Sequence, residues 1–234
     1  MDDGAVLAEI DDATAAIVRR AQPHTMTGPL RLVALVDAVR HCVRAGRKGA
    51  FVECGVWRGG SVLAMALTLL ELDAADREIY LYDTFEGMTE PTERDTSPYQ
   101  EPASKTWRDS GGEPWKDFLF DGERNSVEAV RELLAGAGYP EGLLRFVEGP
   151  VERTVPATVP DRIALLRLDT DWYESTWHEL EHLYPRLVPG GVLIVDDYGH
   201  WDGCRRAVDE YFATVAEPVL LNRIDYAGRI AIKA

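Results

Sequence analysis

Short apolar runs alternating with helix-period segments dominate this chain, and that alternation leaves few folds open. The runs AFVEC (50–54), IYLYD (79–83), LLRFVEG (143–149), IALLRLD (163–169) and VLIVDD (192–197) are short and apolar almost throughout. Strands of that kind are buried on both faces, which calls for parallel pairing with helices on either side. Helical segments lie between them. Residues 5–22 carry helical spacing and stop before Pro23, and PLRLVALVDAVRHCVRAG has Pro29 one step inside a helix and Gly46 at its end. SVLAMALTLLELDAA, with Ser61 as candidate N-cap, and residues 124–136, 174–186 and about 202–213 supply the rest. Right-handed crossovers make such a sheet doubly wound. The terminal runs EPVLLN and RIAIK are joined only by Arg223 to Gly228, too short for a crossover helix, so they form an antiparallel hairpin at one sheet edge. A chain of 234 residues then reads as one α/β domain, 1–234, with a helical cap at 1–46 and an irregular insertion at 84–123.

Charge narrows the ligands. Lysines and arginines number 25 against 40 aspartates and glutamates, a formal net charge of −15. Non-specific binding to nucleic acid or to an anionic membrane needs a basic surplus, so neither is expected, and a phosphate-rich ligand is disfavoured on the same ground. Cationic ligands and metal ions are favoured. Cys42, Cys54 and Cys204 are odd in number, far apart and without a C-x-x-C pair, which points to buried reduced thiols. MDDGAVLAEIDD lacks the basic-then-apolar layout of a secretory leader, and the longest apolar stretch, VLAMALTLL, is too short to cross a bilayer. The expectation is a soluble cytoplasmic protein.

In open α/β sheets ligands bind beyond the carboxyl ends of the strands. Four such ends terminate in acid: Glu53, Asp83, Asp169, and the pair Asp196 and Asp197. One strand-terminal Asp is commonly a cap or turn residue, whereas four at one rim make a site. Between strand one and the next helix, ECGVWRGGSV places glycines as G-x-x-x-G-G, which is not the dinucleotide fingerprint and is compatible with either a tight structural turn or a cofactor cradle. Asp83, about 28 residues after Gly55, can accept both hydroxyls of a ribose, as NAD and S-adenosylmethionine each require. The missing phosphate fingerprint and the acidic rim favour S-adenosylmethionine, whose sulfonium and ammonium suit Glu53. Asp169, Asp196 and Asp197 have no His or Cys beside them and would make a hard, oxygen-only site, selecting Mg²⁺, Mn²⁺ or Ca²⁺ over zinc. Consecutive strand residues face opposite ways, so Asp196 and Asp197 can share an ion only where the chain bends; otherwise Asp197 caps the helix after YGHW. Asp171 is open to two roles, N-cap of the helix beginning near Tyr173 or proton acceptor beside the metal.

Together FVECGVWRGGSVLAMALTLLE, IYLYDTFEGMTEPTERD, LLRLDTDWYEST and VLIVDDYGHWDGCRRAVDEY resemble the macrocin O-methyltransferase family, from HTMTGPLRLVAL to the last strand. Five parallel strands closed by an antiparallel hairpin is likewise the Rossmann-like plan of class I methyltransferases. The resemblance implies S-adenosylmethionine- and Mg²⁺-dependent methylation of a deoxysugar hydroxyl on a macrolide, aminocoumarin or similar scaffold in antibiotic biosynthesis. Carried over by motif, Asp169, Asp196 and Asp197 are metal ligands and Asp171 is the general base. Glu53, Gly55, Arg58, Gly59 and Ser61 line the methionine end of the cofactor, Asp83 and the adjacent Thr84 hold the ribose side, and Thr25 and Met26 belong to a segment that closes over the site. The family also implies a homodimer. Catechol methyltransferases of this fold have a lysine where this chain has Trp172, which favours an alcohol acceptor.

The 84–123 insertion is too long for an ordinary connection and reads as a lid or binding loop, with Trp107, Trp115, Phe118 and Phe120 as apolar contacts for a bulky glycoside or for the domain itself. Judged from the residues alone, the acid-rimmed sheet also suits a nicotinamide oxidoreductase, a metal-dependent hydrolase or a non-catalytic binding protein.

Overall fold

In a computed structural model, which describes residues 9–112 and 123–234, the strands join in a single sheet of order β3-β2-β1-β4-β5-β7-β6. These are β1 (Ala50–Cys54), β2 (Ile79–Asp83), β3 (Leu144–Glu148), β4 (Ile163–Leu168), β5 (Leu187–Val195), β6 (Asn222–Arg223) and β7 (Arg229–Ile232). The first five run parallel, β7 pairs antiparallel with β5, and β6 pairs with β7 at the edge. The doubly wound sheet and its terminal hairpin thus follow the alternation of the sequence. The helices are α1 (Asp12–Ala21), α2 (Pro29–Arg44), α3 (Gly60–Glu71), α4 (Ala103–Asp109), α5 (Val127–Gly136), α6 (Val151–Thr154), α7 (Tyr173–Leu183) and α8 (Asp202–Thr214). Among the described residues no helix is long and apolar enough to cross a membrane.

Side-chain alternation divides the core into two layers. Phe51, Leu81, Leu165, Val192 and Ile194 pack under α1, α2, α3 and α5, while Val52, Cys54, Leu166, Leu168, Leu193 and Val195 pack under α7 and α8. Arg167 falls on the first of these faces, two residues after Leu165, and is nonetheless 1% exposed.

Several boundaries differ from the sequence reading. Helix α1 starts at Asp12 because the Asp11 carboxylate accepts from the Thr14 amide at 2.9 Å; residues 1–8 lie outside the described residues. Ser61 does not cap α3: Gly59, at φ 81°, is the N-cap, and Ser61 is buried in the first turn. Helix α3 ends at Glu71 rather than Ala75, since Asp73 takes φ 50° and turns the chain away. Pro189-Gly190-Gly191 is a bulge inside β5, where pairing jumps from Ile163–Leu187 to Leu165–Val192. Of the EPVLLN run only Asn222 enters a strand, the two-residue β6 that it forms with Arg223.

The insertion contains α4, and its described part is fastened to the two helices that flank the site. The fully buried Asp95 carboxylate accepts from the Tyr173 amide at 2.8 Å, capping α7 from another part of the chain. The Thr96 carbonyl accepts from the Asp202 amide at the start of α8. Of the aromatics expected to contact the acceptor, Trp107 is not among the residues lining the cavity described next, and Trp115, Phe118 and Phe120 lie outside the described residues.

Candidate active site

A cavity of about 490 Å³ opens where β1, β2, β4 and β5 end. Thr25, Met26, Glu53, Gly55, Ser61, Asp83 and Thr84 line it together with Asp169, Asp171, Asp196 and Asp197. Two expected cofactor residues are not brought there. The Arg58 guanidinium lies over the Trp57 ring and reaches Asn125 Oδ1, in a separate depression shared with His24 and Arg124. Gly59 packs on α5, where an added Cβ would sit 2.9 Å from Val130 Cγ1.

The glycine turn is dictated by contact. At Gly55, φ is 84° and a Cβ would lie 2.0 Å from the Asp169 carbonyl oxygen, so only glycine lets this turn lie against the end of β4. Asp83 holds the turn from the other side. Its Oδ2 accepts from the amides of Val56 (2.6 Å) and Trp57 (2.8 Å), and its Oδ1 from Phe85 (2.7 Å). Burial pushes the Asp83 pKa up, and the amides of Trp57, Phe85 and Val56 oppose that shift. At Gly60 a Cβ would strike His24 and Thr25 at 2.6–2.7 Å, which is how the strap carrying Thr25 and Met26 comes to lie across the start of α3.

The floor is acidic, but it is organised by two arginines that sequence reading did not single out. Buried Arg167 donates Nη1 to Glu53 Oε1 (2.7 Å) and Asp169 Oδ2 (2.8 Å), and Nη2 to Thr27 Oγ1 (2.8 Å) and Asp196 Oδ1 (2.6 Å). Arg31 on α2 bonds the other oxygen of Asp196 and lies 3.0 Å from Asp225 Oδ2. A lone cation inside an apolar strand, as in LLRLD, was the available signal, because such a charge persists only when paired. Five carboxyls (Glu53, Asp169, Asp171, Asp196, Asp197) therefore surround two guanidiniums, leaving an excess of negative charge. Burial pushes Glu53 up to about 8, with Arg167 opposing. Burial and the adjacent acids likewise raise Asp196 and Asp197.

Asp169, Asp196 and Asp197 each bring an oxygen within 4.8 Å of the others. The geometric obstacle at the consecutive pair is removed because β5 ends at Val195 and the chain turns just beyond it. Asp196 still donates its amide to Leu168 in the ladder, while the Asp197 carbonyl already closes a turn with the amides of His200 and Trp201. The Asp197 side chain does not cap α8, whose N-cap is Trp201 without a side-chain bond, and its Oδ2 is buried with no hydrogen-bond partner. Three hard oxygen donors, one of them orphaned, fit a divalent cation of the Mg²⁺ type.

Asp171 does not cap α7 either, since Asp95 fills that place. It adopts φ 68°, a left-handed conformation uncommon outside glycine, and its Oδ1 accepts from Trp201 Nε1 at 2.8 Å. Burial and the charge of Asp169 push its pKa up to about 8, with the Trp201 bond opposing. The Thr170 hydroxyl donates to buried Glu179 at 2.9 Å, which anchors this part of the loop, and Thr170 lines the cavity together with both its neighbours. Trp172 fixes the insertion by donating Nε1 to the Thr89 carbonyl at 3.0 Å. His178, Glu181 and His182 also bring ligand atoms within 4.8 Å of one another, on α7 outside this cavity.

The strand order and the ligand cavity at the strand tips define a class I methyltransferase, Rossmann-like and mostly parallel with one antiparallel hairpin. The model of the macrocin O-methyltransferase (TylF) family matches residues 11–231, and the chain belongs to that family of O-methyltransferases. It is 35% identical over 198 residues to demethyldecarbamoylnovobiocin O-methyltransferase of Streptomyces niveus, covering 82% of this chain and 69% of that protein. It is also 35% identical over 225 residues to 8-demethyl-8-(2,3-dimethoxy-alpha-L-rhamnosyl)-tetracenomycin-C 4'-O-methyltransferase of Streptomyces olivaceus, covering 93% and 79%. The solved structure of the O-methyltransferase NovP superposes with a TM-score of 0.76 at 33% identity, over 90% of this chain and 82% of that one. The fold implies S-adenosylmethionine as methyl donor.

Proposed function

We propose that this enzyme methylates a hydroxyl of a deoxysugar on a glycosylated natural product, with S-adenosylmethionine as donor and Mg²⁺ held by Asp169, Asp196 and Asp197. The observation that carries the reading is the trio of carboxylates within 4.8 Å, one oxygen of it orphaned, beside a fourth carboxylate at Asp171. Charge supports it. The floor's carboxyls outnumber its two guanidiniums, and both S-adenosylmethionine and Mg²⁺ are cationic. The curated relatives named above act on glycosylated antibiotics.

In this reading Glu53, whose Oε2 has no partner, receives the donor's ammonium, and Asp83, which lines the cavity with most of its acceptor capacity taken by amides of the turn, stands on the ribose side. Ser61, Thr25 and Met26 line the same cavity. Bound Mg²⁺ would supply a Lewis acid that makes the acceptor hydroxyl more acidic. Asp171 accepts that hydroxyl's proton as the oxygen attacks the methyl carbon, the S–CH3 bond breaks and S-adenosylhomocysteine leaves with its electron pair, while Trp201 keeps the carboxylate oriented. Arg167 and Arg31 hold Asp196 in place from opposite sides.

Calorimetry and methyl-transfer assays test the proposal. S-adenosylhomocysteine should raise the melting temperature, EDTA should abolish transfer, and Asp197→Ala should lose Mg²⁺ binding. Asp171→Asn should lower kcat by about 10²–10⁴-fold with donor affinity nearly unchanged. Undiminished transfer by Asp171→Asn, or indifference to EDTA, would refute the assigned roles.

A further inference from the structure

Helix α7 carries the stretch HELEH at 178–182, whose two histidines, four places apart, fall on one helix face. The letters satisfy two zinc motifs at once, H-E-x-x-H and H-x-x-E-H, which differ in the glutamate that stands with the histidines. The fold decides between them. Glu179 is fully buried and accepts from Thr170 on the core side of α7, so it cannot serve as the general base that the first motif requires. Glu181 shares the outer face instead: one ligand atom each of His178, Glu181 and His182 lies within 4.8 Å of the others. The two imidazole rings have centroids 4.3 Å apart with planes at 52°, and Glu181 Oε2 lies 3.8 Å from His182 Nδ1.

Two histidines on a helix surface do not by themselves make a site. The contact behind His178 adds the orientation that a ligand needs. Its Nε2 lies 2.8 Å from the Val155 carbonyl oxygen. A carbonyl only accepts, so Nε2 carries the proton and, in the neutral ring, the Nδ1 lone pair is left for a ligand. Metal-bound histidines are held in this way, by a backbone carbonyl or carboxylate on the other ring nitrogen. Two imidazoles and one carboxylate make a set that holds Zn²⁺ with a fourth position open to water. Imidazole selects Zn²⁺, Cu²⁺ or Ni²⁺, whereas the oxygen-only trio in the cavity suits Mg²⁺. With metal–ligand bonds of about 2.0–2.2 Å, tetrahedral donors stand about 3.4 Å apart. The side chains of Glu181 and His182, 55% and 24% exposed, have room in solvent to rotate by that difference.

We propose that His178 Nδ1, Glu181 and His182 bind a divalent transition metal, with Zn²⁺ the best fit, at a site separate from the strand-tip cavity. An occupied site ties α7, through the His178 hydrogen bond, to Val155 at the end of α6, so the metal should stabilise the fold. The test titrates Zn²⁺ by calorimetry into the full chain without an affinity tag, with excess Mg²⁺ present to compete for the carboxylates of the cavity. The parent and Asp197→Ala should each bind one Zn²⁺ at this site with the same affinity. His182→Ala and Glu181→Ala, which alter partly exposed side chains, should each weaken it at least about tenfold, the loss that removing even an outer-shell partner causes. Zn²⁺ at 100 times its Kd should raise the melting temperature of the parent by about 5–11 °C and leave that of His182→Ala nearly unmoved. Cu²⁺ bound in place of Zn²⁺ should show nitrogen hyperfine splitting in its electron paramagnetic resonance spectrum, which His178→Gln should remove. Zn²⁺ binding undiminished in His182→Ala, binding lost in a folded Asp197→Ala, or no nitrogen splitting in the parent overturns the site.

Discussion

Replacing Arg167 with methionine keeps the length and apolar stem of the side chain and deletes one buried charge. Four hydrogen bonds disappear, and Glu53, Asp169 and Asp196 lose a shared partner. Removing one side of a buried ion pair costs about 3–5 kcal/mol, because the remaining charges stay desolvated. In a domain of this length each kcal/mol moves the melting temperature by about 2–4 °C, so Arg167→Met should melt about 6–20 °C below the parent. The loss should depend on pH. Burial already raises Glu53 from 4.5 to about 8 with Arg167 opposing, and without the guanidinium the rise is larger. A carboxyl whose folded pKa lies above its unfolded value stabilises the protein at low pH and loses that contribution as pH rises. Between about pH 5 and 9 the deficit of Arg167→Met should therefore stay level at first and grow as pH passes about 8, where Glu53 ionises in the parent and not in the variant, and adding Glu53→Gln should restore part of it. Melting curves by circular dichroism in buffers across that range read both effects. A variant within 2 °C of the parent throughout, or one whose deficit is greatest at pH 5, would show that Arg167 does not balance these acids.

Gly55→Ala forces a Cβ to 2.0 Å from the Asp169 carbonyl oxygen at φ 84°, so it should lower the melting temperature by several degrees and weaken S-adenosylhomocysteine binding. Parent-like values of both would mean the turn can move. Asp95→Ala strips the cap from α7 and the acceptor from Thr92, which donates to the same carboxylate at 2.6 Å through its amide; a loss of about 2–4 kcal/mol is expected, with faster proteolysis in the insertion. Glu93→Ala is the contrast. Its ion pair with Arg108 is exposed, and its removal should leave the melting temperature essentially unchanged.

The strand–helix alternation, the terminal hairpin and the acidic strand ends were legible because each is local. Burial on both faces writes itself into consecutive residues of β1 and β4, and the short Arg223–Gly228 link excludes a crossover. The same local logic placed Pro29 at the start of α2 and put Glu53, Asp83 and Asp169 at strand tips. The family motif carried Arg58 and Gly59 to the cofactor, but neither lines the cavity, since membership in a glycine loop does not say which way a residue faces. It could not decide whether Asp171 and Asp197 cap helices. The cap of α7 comes from Asp95, 78 residues away in sequence. Nor could it show that Arg167 neutralises Glu53, 114 residues distant, or that Tyr99, His200 and Tyr226 meet at one rim. Periodicity and turn chemistry are properties of neighbouring residues. Charge balance, capping across elements and the shape of a cavity mouth depend on which segments the closed sheet brings together, and tertiary packing alone settles them.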